Sequence, residues 1–156
     1  MAKAKHPKDY SFNSFQMKLS MVKEAKFSRA SSPTMVRELC EDIANLSQEA
    51  FVVLTLNAKN NVIDKHMVTL GLIDASLVHP REVFKRAIMD DAASIILVHN
   101  HPSGDITPSA EDIRVTNQLI AAGKILDIQV IDHVIVSTSK HNPFLSFVEA
   151  NICTFR

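Results

Sequence analysis

Residues 99–112 read His-Asn-His-Pro-Ser-Gly-Asp-Ile-Thr-Pro-Ser-Ala-Glu-Asp. Two histidines stand two apart. A serine and an aspartate follow at 109 and 112. Borderline metals such as zinc bind imidazole nitrogen and carboxylate oxygen, and a catalytic zinc keeps three protein ligands and an open position. His99, His101 and Asp112 supply that number and type of ligand, and the fourth position is left for water. The chemistry this implies is metal-activated hydrolysis.

Those residues need a scaffold. Ser94–His99 (Ser-Ile-Ile-Leu-Val-His) is a short apolar run, the pattern of a strand buried on both faces. At the end of a strand, period two points His99 and His101 to one face. Pro102 stops the strand, and Ser103-Gly104 permits a sharp turn within a Pro/Gly loop over residues 100–107. A helix then runs from about Pro108 to Ala122, with Gly123 placed as its C-cap. Asp112 lies in its first turn and can face back toward the strand end. A purely structural reading stands beside this one. Ser109-x-x-Asp112 also fits a capping box, and Thr107-Pro108 is an equally good helix start.

The remaining elements follow from periodicity. Phe15, Met17, Leu19 and Met21 alternate like a half-buried strand. Ser31-Ser32-Pro33 opens a helix ending near Leu46, with Met35, Val36, Leu39, Cys40 and Ile43 as its stripe. Ala50–Leu56 reads as a buried strand, residues 57–61 as a hairpin turn, and Val62–Ile73 as the return strand. Pro80 opens a second helix over about 80–91, and Ile128–Ser137 is a further strand. Pro143–Phe155 is apolar and fits strand or helix. Alternating strands and helices predict a layered α/β domain with helices against a central sheet. The organisation is a basic arm with a first strand over residues 1–30, then one domain over 31–156.

Bulk properties exclude several classes. With 156 residues and 46% hydrophobic content, the chain can bury one core. Lys and Arg balance Asp and Glu at 17 each, so no global field draws it to nucleic acid or membrane. Seven basic residues fall within residues 1–30 against Asp9 and Glu24, which allows a local contact with phosphates or an acidic partner. Cys40 and Cys153 form no metal-binding or disulfide pattern and read as small buried hydrophobes. There is no transmembrane-length apolar run and no signal-peptide core, so a cytoplasmic location and no membrane partner are expected.

The full pattern, His-x-His-Pro, six residues, Ser, two residues, Asp, resembles the JAMM motif of the Jab/MPN metalloproteases. Leu56–Asn60, Ser76–Lys85 (Ser-Leu-Val-His-Pro-Arg-Glu-Val-Phe-Lys), His99–Asp105 and Asp132-His133 together resemble the RadC-like branch, including Asn100 between the histidines. The resemblance covers about residues 35–148. It implies a Jab/MPN (cytidine-deaminase-like) fold of mixed sheet and flanking helices. It also implies one Zn2+ per chain on His99, His101, Asp112 and water.

The resemblance further implies a glutamate general base. Glu49, just before Phe51–Leu54, falls in the expected place; Glu82 competes, being part of Pro80-Arg81-Glu82 and equally suited to a helix's first turn. Ser109 would donate to the developing oxyanion. Asp132 and His133 could orient a ligand or act as an alternative acid or base, though a core histidine is an equal reading. His66, His79 and His141 read as surface residues or residues at helix starts rather than ligands. The expected substrate is a peptide or protein amide. Two alternatives remain: a nucleic-acid-binding protein, as the family's DNA-repair label suggests, and a non-catalytic MPN scaffold. RadC-type proteins carry an N-terminal helix-hairpin-helix region; no Gly-rich hairpin precedes the core here, so a short stand-alone form is expected.

Overall fold

The computed structural model describes residues 29–71, 78–141 and 143–155, and among them five strands form one sheet flanked by four helices. Residues 1–28 of the basic arm, with the strand expected at Phe15–Met21, lie outside the described residues, as does Ile73. The elements are α1 (Pro33–Leu39), α2 (Glu41–Ala44), β1 (Ala50–Leu56), β2 (Val62–Leu70), α3 (Pro80–Met89), β3 (Ser94–Asn100), α4 (Ala110–Leu126), β4 (Gln129–Val136) and β5 (Phe144–Ser146). The sheet order is β2-β1-β3-β4-β5. β3 and β4 are parallel, and the other neighbours are antiparallel. A parallel pair needs a crossover, and α4 supplies it. The expected α/β architecture, a mixed sheet between helices, is the one observed.

Every residue of β1 and β3 is buried, as their unbroken apolar runs require. One face packs Phe51, Val53, Ile95 and Leu97 against Val83, Phe84 and Ala87 of α3 and Val115 and Leu119 of α4. The other packs Val52, Leu54, Ile96 and Val98 against Val36, Cys40, Ile43 and Ala44. Burial pushes the Cys40 thiol up to about 12, so it behaves as an apolar group; Cys153 is only half-buried. Among the described residues no helix is long and apolar enough to cross a membrane.

Local chemistry explains most boundaries. Ser32 caps α1 by accepting from the Met35 N–H at 3.3 Å, with Pro33 in the first turn. The expected single helix to Leu46 is two, because the chain leaves helical geometry at Cys40 (φ −114°, ψ 22°) and restarts. Asn57 holds the hairpin turn, its Oδ1 accepting from the Lys59 and Asn61 N–H groups. The ambiguous C-terminal segment is a short edge strand, β5, followed by turns.

Gly123 does not end its helix. α4 continues to Leu126, and Asp127 takes the left-handed cap at φ 55°. The glycine is there for proximity: a Cβ at this position would lie 2.5 Å from the Ile128 carbonyl oxygen and 3.2 Å from the Phe84 ring. Gly123→Ala is therefore expected to destabilise the fold by about 1–3 kcal/mol through overpacking, less the helix-propensity gain of up to ~1 kcal/mol. Urea denaturation reads this directly, and a midpoint equal to or above wild type would contradict the close approach.

Candidate metal centre

His99 and His101 leave the carboxyl end of β3, where ligands gather in open α/β sheets. The chain turns through Gly104 at φ 81° and re-enters the same corner as α4. There Ser109 and Asp112 form a reciprocal capping box. Ser109 Oγ accepts from the Asp112 N–H at 3.0 Å, while Asp112 Oδ2 accepts from the Ser109 N–H and Oγ–H, both at 2.7 Å. Such a cap is worth about 1 kcal/mol to the helix. It also freezes the carboxylate. Oδ1 faces His99 Nε2 at 3.3 Å, and Oδ2 lies 3.6 Å from His101 Nε2. The helix cap thus holds the carboxylate that could serve as a metal ligand.

The hydrogen-bond network assigns the ring tautomers. Thr116 Oγ1 lies 2.6 Å from the Asp112 main-chain carbonyl, which can only accept, so the hydroxyl donates there. Its lone pair then accepts from His133 Nδ1 at 2.6 Å. His133 is wholly buried, and burial, with the charge of His99 adding, holds its pKa well below the usual range. The ring is neutral, with the proton on Nδ1 and a lone pair on Nε2. That lone pair accepts from His99 Nδ1 at 2.8 Å. His99 consequently presents a bare Nε2. On the other side, His101 Nδ1 donates to the Asp105 carbonyl at 2.6 Å, and its Nε2 also turns inward.

The two Nε2 atoms are 2.9 Å apart. Two nitrogen lone pairs at that distance, beside a carboxylate oxygen, repel unless a cation shares the space. One donor atom each from His99, His101 and Asp112 falls within 4.8 Å of the others. Two imidazoles and a carboxylate are a borderline donor set suited to zinc. A proton competes for the same position. The hydrogen bond with Asp112 raises the His101 pKa; burial opposes this, and the Asp105 carbonyl and the charges of Asp112 and Glu49 add to the rise. Burial pushes the Asp112 carboxyl upward, but hydrogen bonds with His101 and His99, the charge of His99 and the Ser109 hydroxyl outweigh it and hold it far below the carboxylate range.

The rings form a column of tilted neighbours: His101–His99 and His99–His133 centroids are 4.7 and 4.8 Å apart, with Phe51 and Phe147 against its sides. Such a column is tolerable in a core because its polar atoms find partners.

Glu49 stands at the rim. It lines a cleft of ≈ 400 Å³ with Ser47, Gln48, Gly71, Pro102 and Ser103, and its charge reaches His101. Glu82 sits elsewhere, exposed on the first turn of α3 with Arg81 Nε 3.3 Å away. Asp132 does not join the His133 ring, because adjacent strand residues face opposite sides. Its carboxylate instead accepts from the His133 main-chain N–H and Ser146 Oγ, both at 2.7 Å, and from the Val148 N–H at 3.2 Å, tying down β5 and the turn after it.

Sequence reasoning missed two contributors. Thr116 gave no signal, since only the fold brings it to His133. Asn100 gave one: next to His99 on β3, it must face the other way. There its Oδ1 accepts from the Ala50 N–H at 2.6 Å, and its Nδ2 donates to the Gln48 carbonyl at 3.0 Å. It clamps the backbone on both sides of Glu49.

A family model for the RadC-like JAB domain matches residues 30–152. The chain belongs to the RadC-like JAB family. All the candidate site residues of this RadC-like domain fall inside the matched span. It is 51% identical over 114 residues to a UPF0758 protein of Caldanaerobacter subterraneus, covering 73% of this chain and 49% of that protein. It is 54% identical over 100 residues to a UPF0758 protein of Bacillus pumilus, covering 64% of this chain and 45% of that protein. A UPF0758 protein of Geobacillus thermodenitrificans is 54% identical over 109 residues, covering 70% and 47%. The chain spans about half the length of these relatives.

Thr116→Val keeps the shape and removes the hydroxyl that fixes His133. His133 can then turn its proton toward His99, which moves the His99 proton onto the ligand nitrogen. Zinc affinity is expected to fall by roughly 10–100-fold, as for other lost partners of metal-bound histidines. Competition with a chromophoric chelator measures it; unchanged affinity in a folded variant would contradict the tautomer assignment.

Proposed function

We propose that this RadC-like domain is a zinc-dependent metallohydrolase that cleaves peptide or isopeptide amides. The observation that carries the reading is the meeting of two inward-facing Nε2 lone pairs and the Asp112 carboxylate beside a cleft with Glu49 on its rim. His99, His101 and Asp112 would hold the zinc. Bound there, the ion would act as a Lewis acid and lower the pKa of water toward ~7.

The remaining work falls to the protein. Glu49 takes a proton from the attacking water and returns it to the amine nitrogen as the C–N bond breaks. Water's oxygen ends on the carbonyl carbon and its proton on the leaving amine. Asn100 holds the Glu49 backbone during this exchange. Ser109, exposed at the start of α4, turns its hydroxyl from Asp112 toward the developing oxyanion.

The test is cleavage of a peptide and isopeptide library by zinc-supplied protein, read by mass spectrometry. General acid–base catalysis contributes typically ~10²–10⁴-fold, so Glu49→Ala is expected to lose about that much rate while keeping its zinc. Glu82→Ala is expected to match wild type. Equal rates for wild type and the Glu49→Ala/Glu82→Ala double variant would overturn the assignment.

A further inference from the structure

Exposed apolar side chains gather at one end of the helical layer. Among the described residues seven large hydrophobics are exposed. Met67 and Leu70 lie on β2 and Val148 after β5, but Ile88 and Met89 end α3, and Ile125 and Leu126 end α4. Ile88, Met89 and Leu126 line a groove of ≈ 480 Å³ between the two helices, together with Phe84, Arg81 and Lys85. Ile125, beside Leu126, is 86% exposed. An apolar patch rimmed by charge marks an interaction surface.

The charges around the patch say what fits it. Arg81 and Lys85 stand on the groove toward the start of α3, and Asp91 and Asp127 stand just past the ends of α3 and α4. Asp90, the C-cap of α3, is buried and already matched by His66 and Thr55. Arg81 leans on Glu82 at 3.3 Å, which leaves Lys85 as the unmatched cation of the groove. Among the described residues, Lys85, Asp91 and Asp127 have no ion-pair partner. The two aspartates sit where both helix macrodipoles are negative, with Arg86 and Lys124 of the last turns as the nearby cations. The groove is thus basic at one end, apolar in the middle and acidic at the other. A surface of that layout complements itself when turned end for end.

We propose that the groove between α3 and α4 is the contact surface of a two-fold homodimer. Lys85 and Asp91 each stand three positions from Ile88. Two α3 helices packed antiparallel and centred on Ile88 therefore set Lys85 of one copy opposite Asp91 of the other, and the symmetry makes this pair twice. Ile88, Met89 and Leu126 of both copies close over each other at the centre, and the antiparallel macrodipoles attract. A standard interface buries roughly 800 Å² per partner. Four exposed apolar side chains, with the Arg81 and Lys85 stems, supply the core of a small member of that class. An acidic foreign segment would match Lys85 but set like charge against Asp91 and Asp127, so a second copy is the better occupant. The groove lies where α3 leads into the start of β3, and the candidate metal centre lies where β3 ends. Pairing leaves both clefts open.

Sedimentation velocity of the full chain, from low to high micromolar in low-salt buffer, tests this. Wild type is expected to pass from monomer to dimer over that range, and Ile88→Asp to stay monomeric. Lys85→Asp and Asp91→Lys are each expected to raise the dissociation constant about tenfold or more, since two attractive pairs become repulsive. An equimolar mixture of those two variants is expected to dimerise as wild type does, because opposite charges then face each other at both positions. Misfolded variants cannot be rescued by mixing, and circular dichroism checks all three. Wild type that stays monomeric throughout would overturn the proposal, whatever else covers the groove. So would a dimer that survives in folded Ile88→Asp protein, charge variants that self-associate as well as wild type, or a mixture that fails to recover.

Discussion

The Asp112 carboxylate has two obligations, and the site depends on both being met together. Oδ2 closes the first turn of α4 through Ser109 and lies near His101, while Oδ1 faces His99. The helix therefore begins where the carboxylate meets the histidines. Losing the cap would loosen the carboxylate, and moving the carboxylate would fray the helix. The structural and chemical readings of Ser-x-x-Asp are not rivals here, since the cap is the means by which the carboxylate is held in place.

The sheet supplies the rest of the rigidity. β3 is buried on both faces, so its two faces can do different work. One carries His99 onto the column ending at His133 and Thr116. The other carries Asn100 into the backbone around Glu49. A single residue step along one strand thus separates the candidate metal ligands from the residue that clamps the backbone around Glu49. The polar column survives in a hydrocarbon core because Thr116 anchors it to a main-chain carbonyl, which sets the direction of every proton in the chain of bonds. It is an arrangement of proton directions as much as of atoms.

What the residues disclosed and what they hid follow one division. Local signals were readable: the apolar runs of β1 and β3, the Pro33 and Pro80 helix starts, and the Asn57 turn are each decided by neighbours in sequence. The convergence of His99 and His101 followed from strand period alone. Long-range pairing was not readable. Asp132 and His133 looked like a unit, but the strand sends them to opposite sides. Gly123 looked like a helix end because glycine commonly is one, while its actual reason, the approach of Ile128, lies beyond the helix. His66 looked like a surface residue because Asp90 is distant in sequence. The resemblance to RadC-like proteins brought the site residues onto one list, and the fold separated Glu49 at the cleft from Glu82 on α3.

The claim most open to direct measurement is that His99, His101 and Asp112 hold a metal. Elemental analysis of wild type and His101→Ala, purified without added metal or a histidine tag, measures it. The account predicts about one zinc per chain in wild type, lost in the variant. Wild-type protein that remains free of zinc after zinc is supplied and the excess removed, or a variant that holds as much zinc as wild type, would contradict it.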